Sequence, residues 1–147
     1  MPETPHYVVR PADWRVDEDA IARVRREVFV EEQSVPEALE WETWDPECTW
    51  FIAQTESGEV VGIVRLTPDA RIGRMAVRAS WRRKGVGAAL LAAALDAARR
   101  RGLFSVRLSA QTHALPFYAR HGFQPEGEVY QDAGIPHIAM TLTLKDF

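Results

Sequence analysis

The chain has a single cysteine, Cys48, in 147 residues, which excludes an internal disulfide. Its four histidines, His6, His113, His121 and His137, show no paired ligand spacing, so no structural metal is implied. No apolar run approaches the roughly 18 residues a spanning helix needs, and Met1 to His6 lacks the basic and apolar regions of a signal peptide. We therefore expect a cytoplasmic protein with no membrane partner. Repeats and low-complexity tracts are also missing. A further absence is local: between Glu27 and Val64 there is no lysine or arginine. That stretch holds ten acidic residues, Glu27, Glu31, Glu32, Glu37, Glu40, Glu42, Asp45, Glu47, Glu56 and Glu59.

The next part inverts this balance, with eleven bases from Arg65 to Arg107 against Asp69 and Asp96 alone. An anion held by the basic half and a cation near the acidic half would use such polarity; two solvated faces would also produce it. The net charge of -3 and the lack of aromatics between the arginines argue against nucleic acid. Apolar residues are plentiful. At 46% hydrophobic with five Trp, the chain reads as one domain, residues 1–147, with a sizeable core. Cys48 reads as a small packing residue near Trp44 and Trp50 rather than a nucleophile.

His6 to Arg10 is a first predicted strand closed by Pro11. Asp17 or Asp19 is placed to cap a helix carrying Ile21, Val24, Val28 and Phe29. An acidic, aromatic connector follows from Phe29 to Asp45, passing Glu40 and Trp41 and broken at Pro36. Trp50 to Thr55 and Glu59 to Thr67 flank Ser57-Gly58 as a hairpin, and Pro68-Asp69 turns the chain into a strand ending at Val77. After Gly85, Val86, Leu90, Ala94 and Ala97 share a helical face, with Leu91, Leu95 and Ala98 beside it, and Gly102 stops the helix. Leu103 to Ser109 is a strand, Ala114 to Arg120 a short helix, and Phe123 to Gln131 and Ile135 to Leu144 the last two strands. Hairpins followed by strand, helix and strand imply an α/β fold. The crossover from Val77 to Leu103 predicts parallel neighbours with right-handed geometry.

The stretch from Ile72 to Ala88 carries the strongest functional signal. Gly85 and Gly87 let backbone N–H groups approach a ligand, and the helix that begins there offers unpaired first-turn donors and a positive dipole end. Arg82, Arg83 and Lys84 add cations, so diphosphate suits the loop. Ala88, Ala89 and Leu90 follow Gly87, with no third glycine and no Lys-Ser/Thr pair, so neither a Rossmann fingerprint nor a P-loop fits.

Arg82, two residues, Gly85, one residue, Gly87 instead resembles the acetyl-CoA signature of the GCN5-related N-acetyltransferases. The segment from Gln111 to Phe123 resembles the same family's later motif, in which Asn opens a short helix, an aromatic-Tyr pair follows and Gly-Phe closes it. Here Gln111 stands where Asn is usual. Val28-Phe29-Val30, Glu32-Gln33, Val35-Pro36 and Glu40, with Gly134-Ile135, His137 and Met140, look like the ElaA-like branch of small bacterial acetyltransferases. The resemblance implies one mixed, mostly antiparallel sheet of six to seven strands flanked by about four helices. It also implies acetyl-CoA as co-substrate and direct attack of an amine on the thioester, but leaves the substrates of this branch unassigned; we expect a primary amine of a small molecule as acceptor, a cation in keeping with the acidic connector.

By the same resemblance, the main chain of Met75, Ala76 and Val77 meets the pantetheine arm, and the Val77 N–H meets the thioester oxygen. Arg82 and the loop Arg83, Lys84, Gly85, Val86, Gly87 and Ala88 wrap the diphosphate, and Gln111 lies by the cofactor. Tyr118 matches the acid position. A phenol titrating near 10 is a poor donor to a thiol near 8.5, so this role needs placement beside the sulfur; otherwise Tyr118 is a core aromatic. For the base, Glu32 and His137 are the candidates. A protein N-terminus or lysine as acceptor, and a non-catalytic CoA-binding sensor, are the alternatives. An open sheet leaves edges through which a homodimer could form.

Overall fold

Seven consecutive strand residues, Val60–Leu66, are all buried, and the fold is built around them. A computed structural model describes residues 6–36 and 45–144; the connector residues Glu37, Glu40, Trp41, Glu42 and Trp44 lie outside the described residues. Strands β1 (Tyr7–Pro11), β2 (Thr49–Thr55), β3 (Val60–Leu66) and β4 (Ile72–Val77) form an antiparallel sheet in that order. Helices cover both faces of β3, which is why its sequence is a continuous apolar run rather than an alternation. Ile63 joins Ile21 and Val24 of helix α1 (Trp14–Arg25) on one face. Val61, Val64 and Leu66 join Leu90, Leu91 and Ala94 of helix α2 (Val86–Arg100) on the other. Gly62 sets how closely α2 approaches: a Cβ there would lie 2.9 Å from Leu90 Cδ1 and 3.0 Å from Val86 Cγ1.

Strands β5 (Ser105–Gln111), β6 (Gln124–Asp132) and β7 (Ile135–Thr143) form a second antiparallel group in the order β5-β7-β6. Among the described residues the two groups meet at one parallel bridge, Arg71 with Arg107, where the Arg107 N–H donates to the Ala70 carbonyl at 3.1 Å. The sheet is thus mixed and mostly antiparallel, with its parallel junction at the predicted crossover. Beyond the bridge β4 and β5 part. The register of β3 with β4 shifts by one residue between Ile63 and Arg65, and Arg74 takes a φ of 49°. This extra residue bends β4 away from a straight ladder.

Two predicted boundaries move. Asp13, not Asp17 or Asp19, caps α1, accepting from the Arg15 N–H at 3.0 Å. Asp17 is buried in the first turn, where it accepts from the Asp13 N–H at 2.8 Å and from both terminal nitrogens of Arg10 at 2.9 Å. The Arg10 hydrogen bonds hold its carboxyl below the usual range. The connector also starts later than expected, because α1 runs on as a π-helical turn, Arg26–Glu32. Its wider turn keeps Val28 in the core while Phe29, Glu32 and Gln33 line a cleft. Other punctuation is as predicted: the Leu103 N–H reaches the Ala98 carbonyl at 3.1 Å around Gly102, whose φ is 75°. Helix α3 (Leu115–Arg120) ends the same way before Gly122.

Candidate active site

The cleft between the parted strands β4 and β5 encloses about 1100 Å³. One end is made by backbone. Gly85 caps α2 with a φ of 82°, and Arg83 just before it has a φ of 62°, a conformation few non-glycine residues adopt. The Ala89 N–H closes back on the Gly85 carbonyl at 3.0 Å, so the N–H groups of Val86, Gly87 and Ala88 precede the helical ladder. A Cβ at Gly87 would sit 3.7 Å from Phe117 Cζ and 3.9 Å from Val77 Cγ2, ordinary contacts that the fold accepts. With the dipole end and the cleft-lining Arg82 and Arg83, this donor set fits a diphosphate. Lys84 is placed differently: its ammonium lies 5.4 Å from the Trp81 ring centroid and is absent from the cleft wall.

The middle of the cleft is lined by Met75, Ala76 and Val77 of β4 and by Tyr118 of α3. Tyr118 packs edge-on against Phe117 at 5.1 Å and Phe123 at 6.0 Å. Burial pushes its phenol up to about 12, so it stays a protonated donor at every physiological pH. Arg82 bridges to the other candidates: its Nε donates to the Val77 carbonyl at 2.9 Å and its Nη2 to Glu32 at 2.8 Å. Glu32 is therefore already engaged by a cation across the cleft.

Gln111 ends β5 at the cleft, where its Nε2 donates to Gln33 Oε1 at 2.8 Å. This bond spans 78 positions in sequence and ties the π-helical turn to β5. The longer side chain in place of Asn makes no helix cap. His137 stands opposite Gln111 on β7. Its Nδ1 lies 2.7 Å from the Ile135 carbonyl, an acceptor, so the proton of that contact sits on Nδ1 and Nε2 is the ring nitrogen outside it. The ring stacks on Tyr130 at 6.1 Å, and the Tyr130 hydroxyl meets Ser109 Oγ.

A glycine loop at a helix start, a bent strand beside it and an aromatic-Tyr pair across the gap occur together here in one cleft. The acetyltransferase (GNAT) domain family matches residues 14–144, nearly the whole described chain. The chain belongs to this family. Among curated relatives, the uncharacterized N-acetyltransferase YjcF of Bacillus subtilis is 37% identical over 120 residues, covering 80% of this chain and 86% of that one. The solved structure of Escherichia coli ElaA superposes with a TM-score of 0.83 at 27% identity, covering 93% of this chain and 99% of that one. An acyl-CoA N-acyltransferase from Pseudomonas aeruginosa gives 0.80 at 31% identity, covering 94% and 99%. Membership of the GNAT family makes N-acyl transfer from an acyl-CoA the general chemistry of the chain.

Of the residues nominated by the sequence motifs, Glu32, Met75 to Val77, Arg82, Arg83, Gly85 to Ala88, Gln111, Tyr118 and His137 all line this cleft. Sequence motifs gave no role to Gln33, Ser109 or Tyr130, nor to Arg71 and Arg107, which line the cleft where β4 and β5 meet. Alternation back from Gln111 marks Ser109 and Arg107 as one face of β5, a signal present in the sequence. Tyr130 had none, because three residues of β6 separate Glu126 from it where β7 has only Ile138 between Ala139 and His137.

Proposed function

We propose that the chain transfers an acetyl group from acetyl-CoA to a primary amine on a small molecule by direct attack, within the cytoplasm. The observation that supports this is the continuity of the cleft. It runs from the backbone donors at Val86 to Ala88, past Val77 and Tyr118, to a second region beyond His137 where an amine can enter. When bound, the thioester supplies an activated acyl carbon and a thiol leaving group. Val86, Gly87 and Ala88 hold the diphosphate with Arg82 and Arg83, and Gln111 lies beside the cofactor. Met75, Ala76 and Val77, which line the cleft, orient the arm through their main chain, and the Val77 N–H holds the thioester oxygen.

His137 takes the proton from the amine at Nε2, since Nδ1 is committed to a carbonyl and Glu32 to Arg82. Tyr118 holds the departing sulfur with its O–H. With its phenol near 12 and a thiol near 8.5, complete transfer runs uphill by about 5 kcal/mol. Tyr118 therefore stabilises the leaving thiolate as a hydrogen-bond donor, and solvent completes the protonation. The test is amine-dependent release of free thiol from acetyl-CoA across a panel of small amines and lysine peptides. Release with small amines supports the proposal, release with peptides alone moves the acceptor to proteins, and tight binding without release supports a sensor.

A further inference from the structure

The cleft has two basic ends, and one cofactor accounts for only one of them. The diphosphate end holds Arg82, Arg83 and the start of α2. At the opposite end, Arg71 and Arg107 line the cleft where β4 and β5 meet, with Arg65 and Arg74 beside them. From Val77 to Arg71 the strand runs six residues, roughly 20 Å at about 3.3 Å per residue. The thioester sits near Val77 in the proposed reaction, so the far arginines lie on the side from which the acceptor enters.

The charges at this end differ in how they are committed. Arg65 is buried and donates to Asp45 at 2.9 Å, an interaction that fixes it as part of the fold. Arg71 is more than half exposed and lies 3.5 Å from an equally exposed Asp69, a contact worth little in water. Arg107 is exposed, and its only described hydrogen bond is made by its backbone. Two exposed arginines, paired through their backbones at the parallel bridge and both lining the cleft, supply guanidinium groups of the kind that suit a carboxylate or phosphate. Acidic groups also line the cleft, on the β6 side, at Glu126 and Asp132. An acceptor with charge of both signs matches such walls; a plain alkylamine matches one.

We infer that the acceptor is an elongated amine bearing a distal carboxylate or phosphate, which Arg71 and Arg107 bind while the amine reaches the thioester. This rests on the acyl-transfer reading of the cleft. The test compares probes of matched length, 6-aminohexanoate, 6-aminohexyl phosphate and hexylamine, titrated calorimetrically into the protein saturated with CoA. At least one anionic probe should bind tenfold or more tightly than hexylamine, and the two anionic probes separate carboxylate from phosphate recognition. The double variant Arg71→Gln, Arg107→Gln should erase that preference, with a parallel titration of acetyl-CoA reporting that it is folded. Equal affinities, no binding of either anionic probe, or a preference retained in the double variant would overturn the inference. Failure of acetyl-CoA itself to bind would instead count against the acyl-transfer reading.

Discussion

The two ends of the cleft are built by different means. The end proposed for the diphosphate is made of backbone within a contiguous stretch, Val77 to Ala88, where glycines, a helix start and two left-handed residues present N–H groups. The end proposed for the acceptor is made of side chains remote in sequence, where strand register alone sets Arg71 beside Arg107 and Ser109 beside Tyr130 and His137. Backbone recognition tolerates many side chains and serves a constant ligand. Side-chain recognition changes with every substitution and is where an enzyme family varies its acceptor.

Breaking the junction between the ends should have the largest effect. Tyr118→Phe is expected to lower turnover by about a hundredfold while leaving acetyl-CoA affinity nearly unchanged, measured by thiol release and calorimetry. Because burial raises the phenol to about 12, no loss of rate between pH 8 and 11 should disappear in this variant. The same shift has a stability consequence. The unfolded chain loses the Tyr118 proton near 10 and the folded chain near 12, so the native state holds more protons between them and stability falls as pH rises through that window. Alkaline unfolding of Tyr118→Phe should lack this part of the slope.

Gly87→Val sharpens the comparison at the backbone end. A Cβ there makes only ordinary contacts with the fold, and acetyl-CoA should bind a variant shown to be folded by its melting transition about thirtyfold more weakly, equivalent to about 2 kcal/mol of lost charge-assisted hydrogen bonding. Gly85 is a poorer position for this test, since its φ of 82° strains any substitution. Gly62→Ala tests the packing that aims α2 at the cleft. The added methyl meets Leu90 and Val86 near 3 Å, and denaturant unfolding should show a loss of about 1–2 kcal/mol. The smallest effect should come from Glu32→Gln. Its pair with Arg82 is about 40% exposed on both sides, so stability should change by less than about 1 kcal/mol. Turnover should fall far less than in His137→Gln; the reverse order would make Glu32 the base.

Most of the fold was legible because its signals are local. The apolar run of β3, the Gly102 stop and the helical stripe after Gly85 each reflect one element's own chemistry. The cap of α1 was misplaced because Asp13 and Asp17 are equally good caps in isolation, and only the reach of Arg10 from β1 draws Asp17 inward. The charge asymmetry of the sequence had a third outcome besides ligand binding or solvation. Glu27 and Glu59 pair with Arg78, Glu32 with Arg82, and Asp45 with Arg25 and Arg65, so the acidic stretch partly neutralises the basic one across the fold. At the site, the glycine loop and Tyr118 could be read from motifs. The network of Ser109, Tyr130 and His137 could not, because it depends on the irregular register of β6 with β7.

Calorimetric titration of the purified protein with acetyl-CoA, beside ATP and NAD, tests the central claim most directly. The cleft geometry predicts binding of acetyl-CoA at one site per chain, weakened by Gly87→Val, with no comparable binding of ATP or NAD. Absence of acetyl-CoA binding by a folded protein, or wild-type affinity in Gly87→Val, would contradict the assignment of Val86 to Ala88 as the diphosphate cradle.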